Sequence, residues 1–368
     1  MANKKCRWGF LGTSVISQKN WLAVKLADNA TLTAVGSRDM QRCQLFIDEY
    51  QRLEPFDSAP TAFGSYDKLI AMEDVDAIYV PLPTGLRKEW VIKAAESGKH
   101  VLCEKPCAVH AGELSEMLDA CKKNGVQFMD GVMFMHSVRL NRLRELIDAN
   151  EIGDLRRVYS QFSFMSDDSF RDSNIRTNGE LEPHGCVGDL GWYNIRFLIW
   201  LLNHELPTQV RCQTLESFGQ TNVQVPMAFL AELEYDRQFS AGFYCSFEAH
   251  NQQWMIISGT KGYIRLNDFV LPFVGDQTRI EVVKSDFEVD KCRFEMFENA
   301  DLHEIQESAS NQPDAQEVNL FRRFSDIVLT GNIETEWFDY AQQTQSVMDA
   351  CLLSAKQNAP AMCVCKQN

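Results

Sequence analysis

The chain has 368 residues, 45% hydrophobic and 24% charged, which is the composition of a folded protein with enough apolar surface for two or three domains. Lys and Arg number 36 against 51 Asp and Glu, a net charge of −15, which disfavours nucleic acid or an anionic membrane as the main partner. The 12 Cys run from Cys6 to Cys365 without a C-x-x-C pair, so neither a zinc ribbon nor a thioredoxin-type motif is supported, no metal site is expected, and free buried thiols in a reducing compartment are. No 18-residue apolar run exists, and Ile195–Leu202 contains Arg196. Met1–Lys5 carries two Lys, and the apolar run behind it is broken by Gly9 and Gly12. The expectation is no signal peptide and a cytoplasmic location.

In chain order, the first third alternates strands with helices. Cys6–Leu11 is a strand running into Gly12-Thr13-Ser14, and Trp21, Leu22 and Val24 open a helix face. Thr31–Gly36 is β-rich and Met40–Tyr50 helical. Asp76–Val80 is a strand closed by Pro81-Leu82-Pro83, and Lys88–Ser97 is a helix stopped by Gly98. His100–Cys103 is a strand, Gly112–Lys123 a helix and Val126–Phe134 a strand. This alternation predicts an α/β domain over residues 1–134, a doubly wound parallel sheet of Rossmann type. The pattern then changes: Leu155–Met165 is β-rich, 167–183 is a polar loop, and Asp189–Leu202 is helical. From Gln209 to about Phe297 strands follow one another, among them Met227–Tyr235 with Gln238–Phe247, and Trp254–Ser258 with Gly262–Leu266. Helices at Asp314–Leu329 and Tyr340–Lys356 close the chain. Residues 135–368 are therefore expected to form an α+β domain on a large, mostly antiparallel open sheet.

The turn after the first strand reads Gly12-Thr13-Ser14-Val15-Ile16-Ser17. In a G-x-G-x-x-G fingerprint Ser14 and Ser17 replace two glycines, so a plain strand-to-helix turn stands beside a pyrophosphate turn. Its place on the first strand of a βαβ unit favours the nucleotide. The next strand ends Gly36-Ser37-Arg38, where an NAD site normally places an acidic residue. Ser37 and Arg38 suit a 2′-phosphate, so NADP is expected ahead of NAD, with Asp39 kept as a ribose partner.

Two further stretches carry a family resemblance. Gly98-Lys99-His100-Val101-Leu102-Cys103-Glu104-Lys105-Pro106 resembles the G-K-H-V-L-x-E-K-P signature of the Gfo/Idh/MocA oxidoreductases. Gly188-Asp189-Leu190-Gly191-Trp192-Tyr193 resembles that family's D-x-G-x-[HY] segment, in the Tyr subset near the glucose–fructose oxidoreductase and dimeric dihydrodiol dehydrogenase branches. The resemblance covers nearly the whole chain. It implies a nicotinamide facing the open-sheet domain, substrates drawn from sugars, polyols and cyclic diols, and Lys105 as the catalytic lysine with Asp189 and Tyr193 across the cleft. The cofactor set is then Gly12, Thr13, Ser14, Val15 and Ile16 in the first turn, Ser37 and Arg38 after the second strand, Pro81, Leu82 and Pro83 in the third turn, and Glu104 with Lys105.

The chemistry of these residue types agrees. Oxidising a secondary alcohol needs a base for its proton, and an ammonium can orient the oxygen while lowering the pKa of a nearby phenol. Tyr193 then exchanges the proton, Lys105 polarises, and Asp189 holds Lys105, with residues 189 and 193 one turn apart if on one helix. The other readings are a core tyrosine for Tyr193 and a helix cap for Asp189. Arg87 fills a slot where many family members carry His, and His136 and Arg176 are further substrate candidates. A buried satisfied His136 and a surface Arg176 are their alternatives, and His184 reads as a loop residue. The leading expectation is an NADP-dependent oxidoreductase with a dissociable cofactor. The alternative is a catalytically silent NADP-binding regulator. Its one-sided open sheet predicts a homodimer or homotetramer.

Overall fold

A computed structural model describes residues 4–363. The first domain runs β1 (Cys6–Leu11), α1 (Val15–Leu26), β2 (Ala30–Gly36), α2 (Met40–Leu53), β3 (Thr61–Phe63), α3 (Tyr66–Ile70), β4 (Ala77–Val80), α4 (Thr84–Glu96), β5 (His100–Cys103), α5 (Ala111–Lys123) and β6 (Phe128–Asp130). Its six strands are all parallel, in the order β3-β2-β1-β4-β5-β6. That order reverses between β1 and β4, the switch point where doubly wound sheets leave a crevice for a ligand. The strands are continuous apolar runs because helices cover both faces.

A 3₁₀ turn (Met133–His136) and α6 (Arg139–Asp148) lead into the second domain. There follow β7 (Leu155–Met165), α7 (Asp168–Ser173), a 3₁₀ turn (Ile175–Thr177), a π-helical turn (Val187–Gly191) and α8 (Trp192–Leu201). The remaining strands are β8 (Gln209–Phe218), β9 (Val225–Glu234), β10 (Ser240–Ser246), β11 (Glu248–Gly259), β12 (Tyr263–Leu266), β13 (Gln277–Asp290) and β14 (Arg293–Gln306). Then come α9 (Gln316–Thr330), α10 (Glu336–Gln357) and a short β15 (Ala361–Met362). The nine-stranded sheet has the order β14-β13-β12-β11-β7-β10-β9-β8-β15 and is antiparallel except where β10 runs parallel to β7. One face packs on α8: Ser160 donates to Asn194 at 2.6 Å and Phe162 meets Tyr193 edge-on.

The C-terminal helices return to the first domain. Phe321 and Phe324 of α9 pack on Trp8 with ring centroids 4.9 and 5.0 Å away, and the indole of Trp8 donates to Ser325. At the junction, Asp130 at the end of β6 accepts two guanidinium bonds from Arg196 (2.9 and 2.6 Å) and one from the Trp192 indole (3.0 Å). Both members of this ion pair are fully buried.

Several boundaries differ from expectation. The β6 strand stops at Asp130 instead of Phe134, because its neighbour β5 ends at Cys103, the partner of Asp130. The helix expected from Lys88 begins at Thr84, whose backbone N–H and hydroxyl donate to Glu182 at 3.0 and 2.6 Å. That capping carboxylate comes from the second domain and leaves no local trace in the sequence. The strands run on to Gln306, because β13 and β14 pair along their whole length. The polar loop holds two short helical turns, and the helix expected from Asp189 starts as a π-helical turn, becoming regular only at Trp192. Ten of the cysteines among the described residues are free, nine of them buried and Cys292 exposed; Cys365 lies outside the described residues. Among the described residues no helix is long and apolar enough to cross a membrane.

Candidate active site

A cavity of about 960 Å³ opens between the carboxyl ends of the parallel strands and the inner face of the second sheet. Ser14, Val15, Ile16, Pro81, Leu82, Glu104 and Lys105 line it from the first domain, and Phe162, Arg176, Asp189 and Tyr193 from the second. Gly12 and Thr13 form the turn leading into it, Pro83 carries the chain into α4, and Ser37 and Arg38 lie at the end of β2, outside the cavity wall.

The two serines that replace fingerprint glycines rebuild the turn. Gly12 has φ +123°, a conformation that disfavours a side chain. Ser14 caps α1 by accepting from the Ser17 backbone N–H, its hydroxyl lies 2.9 Å from that of Ser17, and Ser17 donates to the Gly12 carbonyl at 3.1 Å. The helix N-terminus thus keeps its free N–H groups and positive end for an anion. At the end of β2, Arg38 and Arg42 are exposed, and among the described residues neither guanidinium has a partner. Burial raises the Tyr66 phenol, and the two arginines oppose that shift, which places both near it. The Tyr66 hydroxyl lies 3.9 Å from where a Cβ on Gly12 would stand, so this positive pair lies on the Gly12 side of the sheet. Asp39 caps α2 by accepting from Arg42 N–H at 3.1 Å, which commits the residue kept as a ribose partner to a structural bond.

Lys105 follows β5 at the cavity floor, and its bond to Pro106 is cis. Its Nζ donates to Asp189 Oδ1 at 2.7 Å and to the Asp189 carbonyl at 2.6 Å, and lies 4.7 Å from the Tyr193 ring centroid. Asp189 does not cap α8. Its second oxygen takes the Arg176 Nε at 2.8 Å, so Arg176, although its side chain is 42% exposed, is anchored at the site and is not a free surface arginine. Tyr193 is buried, as its core reading had it, yet it lines the cavity beside Lys105.

The electrostatics follow from this packing. Burial opposes the charge on Asp189, but Arg176 and then Lys105 overcome it and hold the carboxyl well below the usual range. Burial also works against Lys105, yet Asp189 raises its pKa above an ordinary lysine. The expected lowering of the Tyr193 phenol is not the net result: burial raises it, Lys105 pulls it down, and Glu104 and Asp189 push it up again. The phenol stays protonated at neutral pH.

Behind Lys105 lies a network that the sequence did not reveal. Asn20 donates to the Tyr79 hydroxyl at 2.6 Å, and Tyr79 donates to Glu104 at 2.7 Å. A Cβ on Gly131 would stand 3.0 Å from the Glu104 carboxylate, so any larger residue there would press on it. Arg87 is buried and spends its guanidinium on the Leu82 and Pro106 carbonyls. Arg87 thus braces the lysine loop while lining the cavity. His136 does not line the cavity: it stacks flat on Trp337 with centroids 4.9 Å apart. His184, read as a loop residue, is buried in the cavity wall with Nε2 donating to the Val109 carbonyl at 2.8 Å.

Comparison with known proteins gives the class. Residues 6–132 match the model of an oxidoreductase family with an NAD-binding Rossmann fold, and residues 140–265 match the GFO/IDH/MocA C-terminal domain. The chain belongs to this oxidoreductase family. It is 34% identical over 260 residues to D-xylose 1-dehydrogenase (NADP(+)) 2 of Haloferax volcanii, covering 71% of this chain and 75% of that protein. It is 26% identical to trans-1,2-dihydrobenzene-1,2-diol dehydrogenase of Mus musculus, covering 72% and 76%. A crystal structure of a 3-ketoreductase from Actinomadura kijaniata with NADP and TDP-benzene superposes with a TM-score of 0.77 at 22% identity, covering 95% of this chain and 98% of that one.

Proposed function

We propose that the protein is an NADP-dependent oxidoreductase that interconverts a secondary alcohol and a carbonyl on a sugar, polyol or cyclic diol. The observation that carries this is the Lys105–Asp189–Tyr193 cluster, which joins the two walls of a cavity that the turn at Ser14–Ile16 also lines. The names of the xylose and dihydrodiol dehydrogenases support the substrate class and the choice of NADP.

The residues fit the cofactor. The glycine turn at Gly12 and the capped N-terminus of α1 suit a pyrophosphate, and unpaired Arg38 and Arg42 beside Ser37 suit a 2′-phosphate. When bound, the nicotinamide supplies or accepts the hydride. Tyr193 exchanges the hydroxyl proton of the substrate at its phenol oxygen. Lys105 donates to the reacting oxygen and stabilises negative charge there. Asp189 holds the ammonium in place, and Glu104, fixed by Tyr79, shapes the floor beside it.

The outer face of the large sheet supports a homodimer or homotetramer. Tyr159 and Trp254 stack there with centroids 6.2 Å apart, next to half-buried Ile256. A monomeric mass by light scattering at micromolar concentration would overturn this assignment.

The deciding experiment is a fluorescence titration with NADPH and NADH, then a screen of sugars, polyols and cyclic diols with NADP. Binding plus turnover supports the proposal. Tight NADPH binding with no turnover of any of the three classes favours the silent regulator.

A further inference from the structure

We propose that Arg176 is a positioning residue: it fixes the Asp189 carboxylate so that Asp189 can hold the Lys105 ammonium at the reacting oxygen. The inference rests on the oxidoreductase reading above and adds a residue to its machinery.

The division of the carboxylate is the first argument. Oδ1 of Asp189 takes Lys105 and Oδ2 takes Arg176, at 2.7 and 2.8 Å. The terminal torsion of an aspartate is soft, so a single partner would leave the carboxylate free to swing and carry the lysine with it. A hydrogen bond from Lys105 on one oxygen and a close ion pair with Arg176 on the other, from different directions, hold its plane.

The bracing of the loop is the second. Asp167 caps α7, and Arg171 pairs with Glu248 on β11. Thr177 donates to the carbonyls of Arg171 and Asn174, and the Gln220 side chain donates to the Asn174 carbonyl and the Thr177 hydroxyl. Glu182 then ties the loop to Thr84 of the first domain. Arg176 is thus delivered to Asp189 by a segment held at several points. Its side chain remains 42% exposed, the open part lying at the cavity.

The charge count is the third. Asp189 is faced by Lys105 from the segment after β5, Arg176 from the loop, Tyr193 from α8 and the Cys186 thiol from the preceding turn. Glu182 acts on Arg176, and Glu104 acts on Tyr193. Two cations on one carboxylate leave a surplus positive charge beside the site where an alkoxide develops. Arg176 also keeps Asp189 ionised and moderates the rise in the Lys105 pKa.

The test compares wild type, Arg176→Met and Arg176→Lys on the substrate found in the screen, with kcat and KM followed across pH and NADPH affinity and Tm measured alongside. Arg176→Met should lower kcat about ten- to a hundredfold, as misplacement of a reacting group does. NADPH affinity should hold. The acid limb of the kcat profile should move to higher pH, since Asp189 would protonate more readily. Arg176→Lys should recover most of the loss. An unchanged kcat and acid limb in Arg176→Met, or an effect confined to KM, overturns the inference. If Arg176→Met does not fold, Arg176→Gln is read in its place: a lowered kcat with the acid limb moved to higher pH supports positioning, and a wild-type kcat and limb overturn it. Absence of turnover in the wild type overturns the oxidoreductase reading and this inference with it. A working wild type with indifferent Arg176 variants overturns this inference alone.

Discussion

The Tyr79 phenol donates to Oε1 of Glu104 at 2.7 Å while accepting from Asn20, so a fully buried hydroxyl links α1 and β4 to the residue beside the candidate catalytic lysine. Phenylalanine at this position keeps the ring contacts with Phe10 and Phe321 and removes only the link. Tyr79→Phe should therefore fold, and should weaken NADPH binding about fivefold, the equivalent of one net hydrogen bond of about 1 kcal/mol. Fluorescence titration of the purified variant checks this, and wild-type affinity would mean that Glu104 needs no such support.

Lys105→Met and Tyr193→Phe should each reduce kcat by about 10²–10⁴, the usual weight of a positioned proton donor or polarising group. Direction and pH are linked. The Tyr193 phenol is raised above its ordinary value, chiefly by burial, so at pH 7 it is a proton donor. Carbonyl reduction should run well at neutral pH and fall as pH climbs toward the phenol pKa. Alcohol oxidation, which needs the phenolate, should rise over the same range. Rates in both directions from pH 6 to 10 check the assignment, and identical profiles would remove Tyr193 from the proton path.

The cofactor preference is expected to turn on charge at the end of β2. Replacing Ser37 and Arg38 together (Ser37→Asp with Arg38→Ala) should cost NADPH affinity about ten- to a hundredfold, the worth of a charge-assisted bond or two, and leave NADH untouched or improved. Arg42→Ala alone should show a smaller loss of the same kind. Parallel titrations with both nucleotides read this directly, and equal losses for both would place the arginines outside the phosphate site.

Much of this was legible in the chain because the signals are local. The G-K-H-V-L-x-E-K-P run and the Asp-x-Gly-x-Tyr segment each sit within a dozen residues, and each strand or helix of the alternation is read from a short window. What escaped depends on partners far away in sequence. Glu182 caps α4 from 98 residues on, Arg176 reaches Asp189 across a turn with no periodicity, and Asn20, Tyr79 and Glu104 meet only when three segments fold together. Arg87 and His136 show the reverse case. Both carry polar side chains near the expected pocket, but one braces backbone carbonyls and the other stacks on Trp337. Nor does spacing reveal that burial outweighs the Lys105 charge at Tyr193.

The junction between the domains should be the most sensitive point for stability. Asp130 and Arg196 are both fully buried, and every guanidinium nitrogen of Arg196 is used: two on Asp130 and Nε on the Thr344 hydroxyl at 2.8 Å. Removing one partner of such a pair strands the other charge in an apolar surrounding, which typically costs about 3–5 kcal/mol. Arg196→Met should therefore lower Tm strongly or prevent folding. The double variant Asp130→Leu/Arg196→Met removes both charges and should recover part of the loss, although the Trp192 indole then lacks its acceptor. Wild type and the two variants compared by thermal unfolding decide the matter. A single variant as stable as wild type would mean that water reaches this junction, and that the pair does not join β6 to α8 in the way its burial implies.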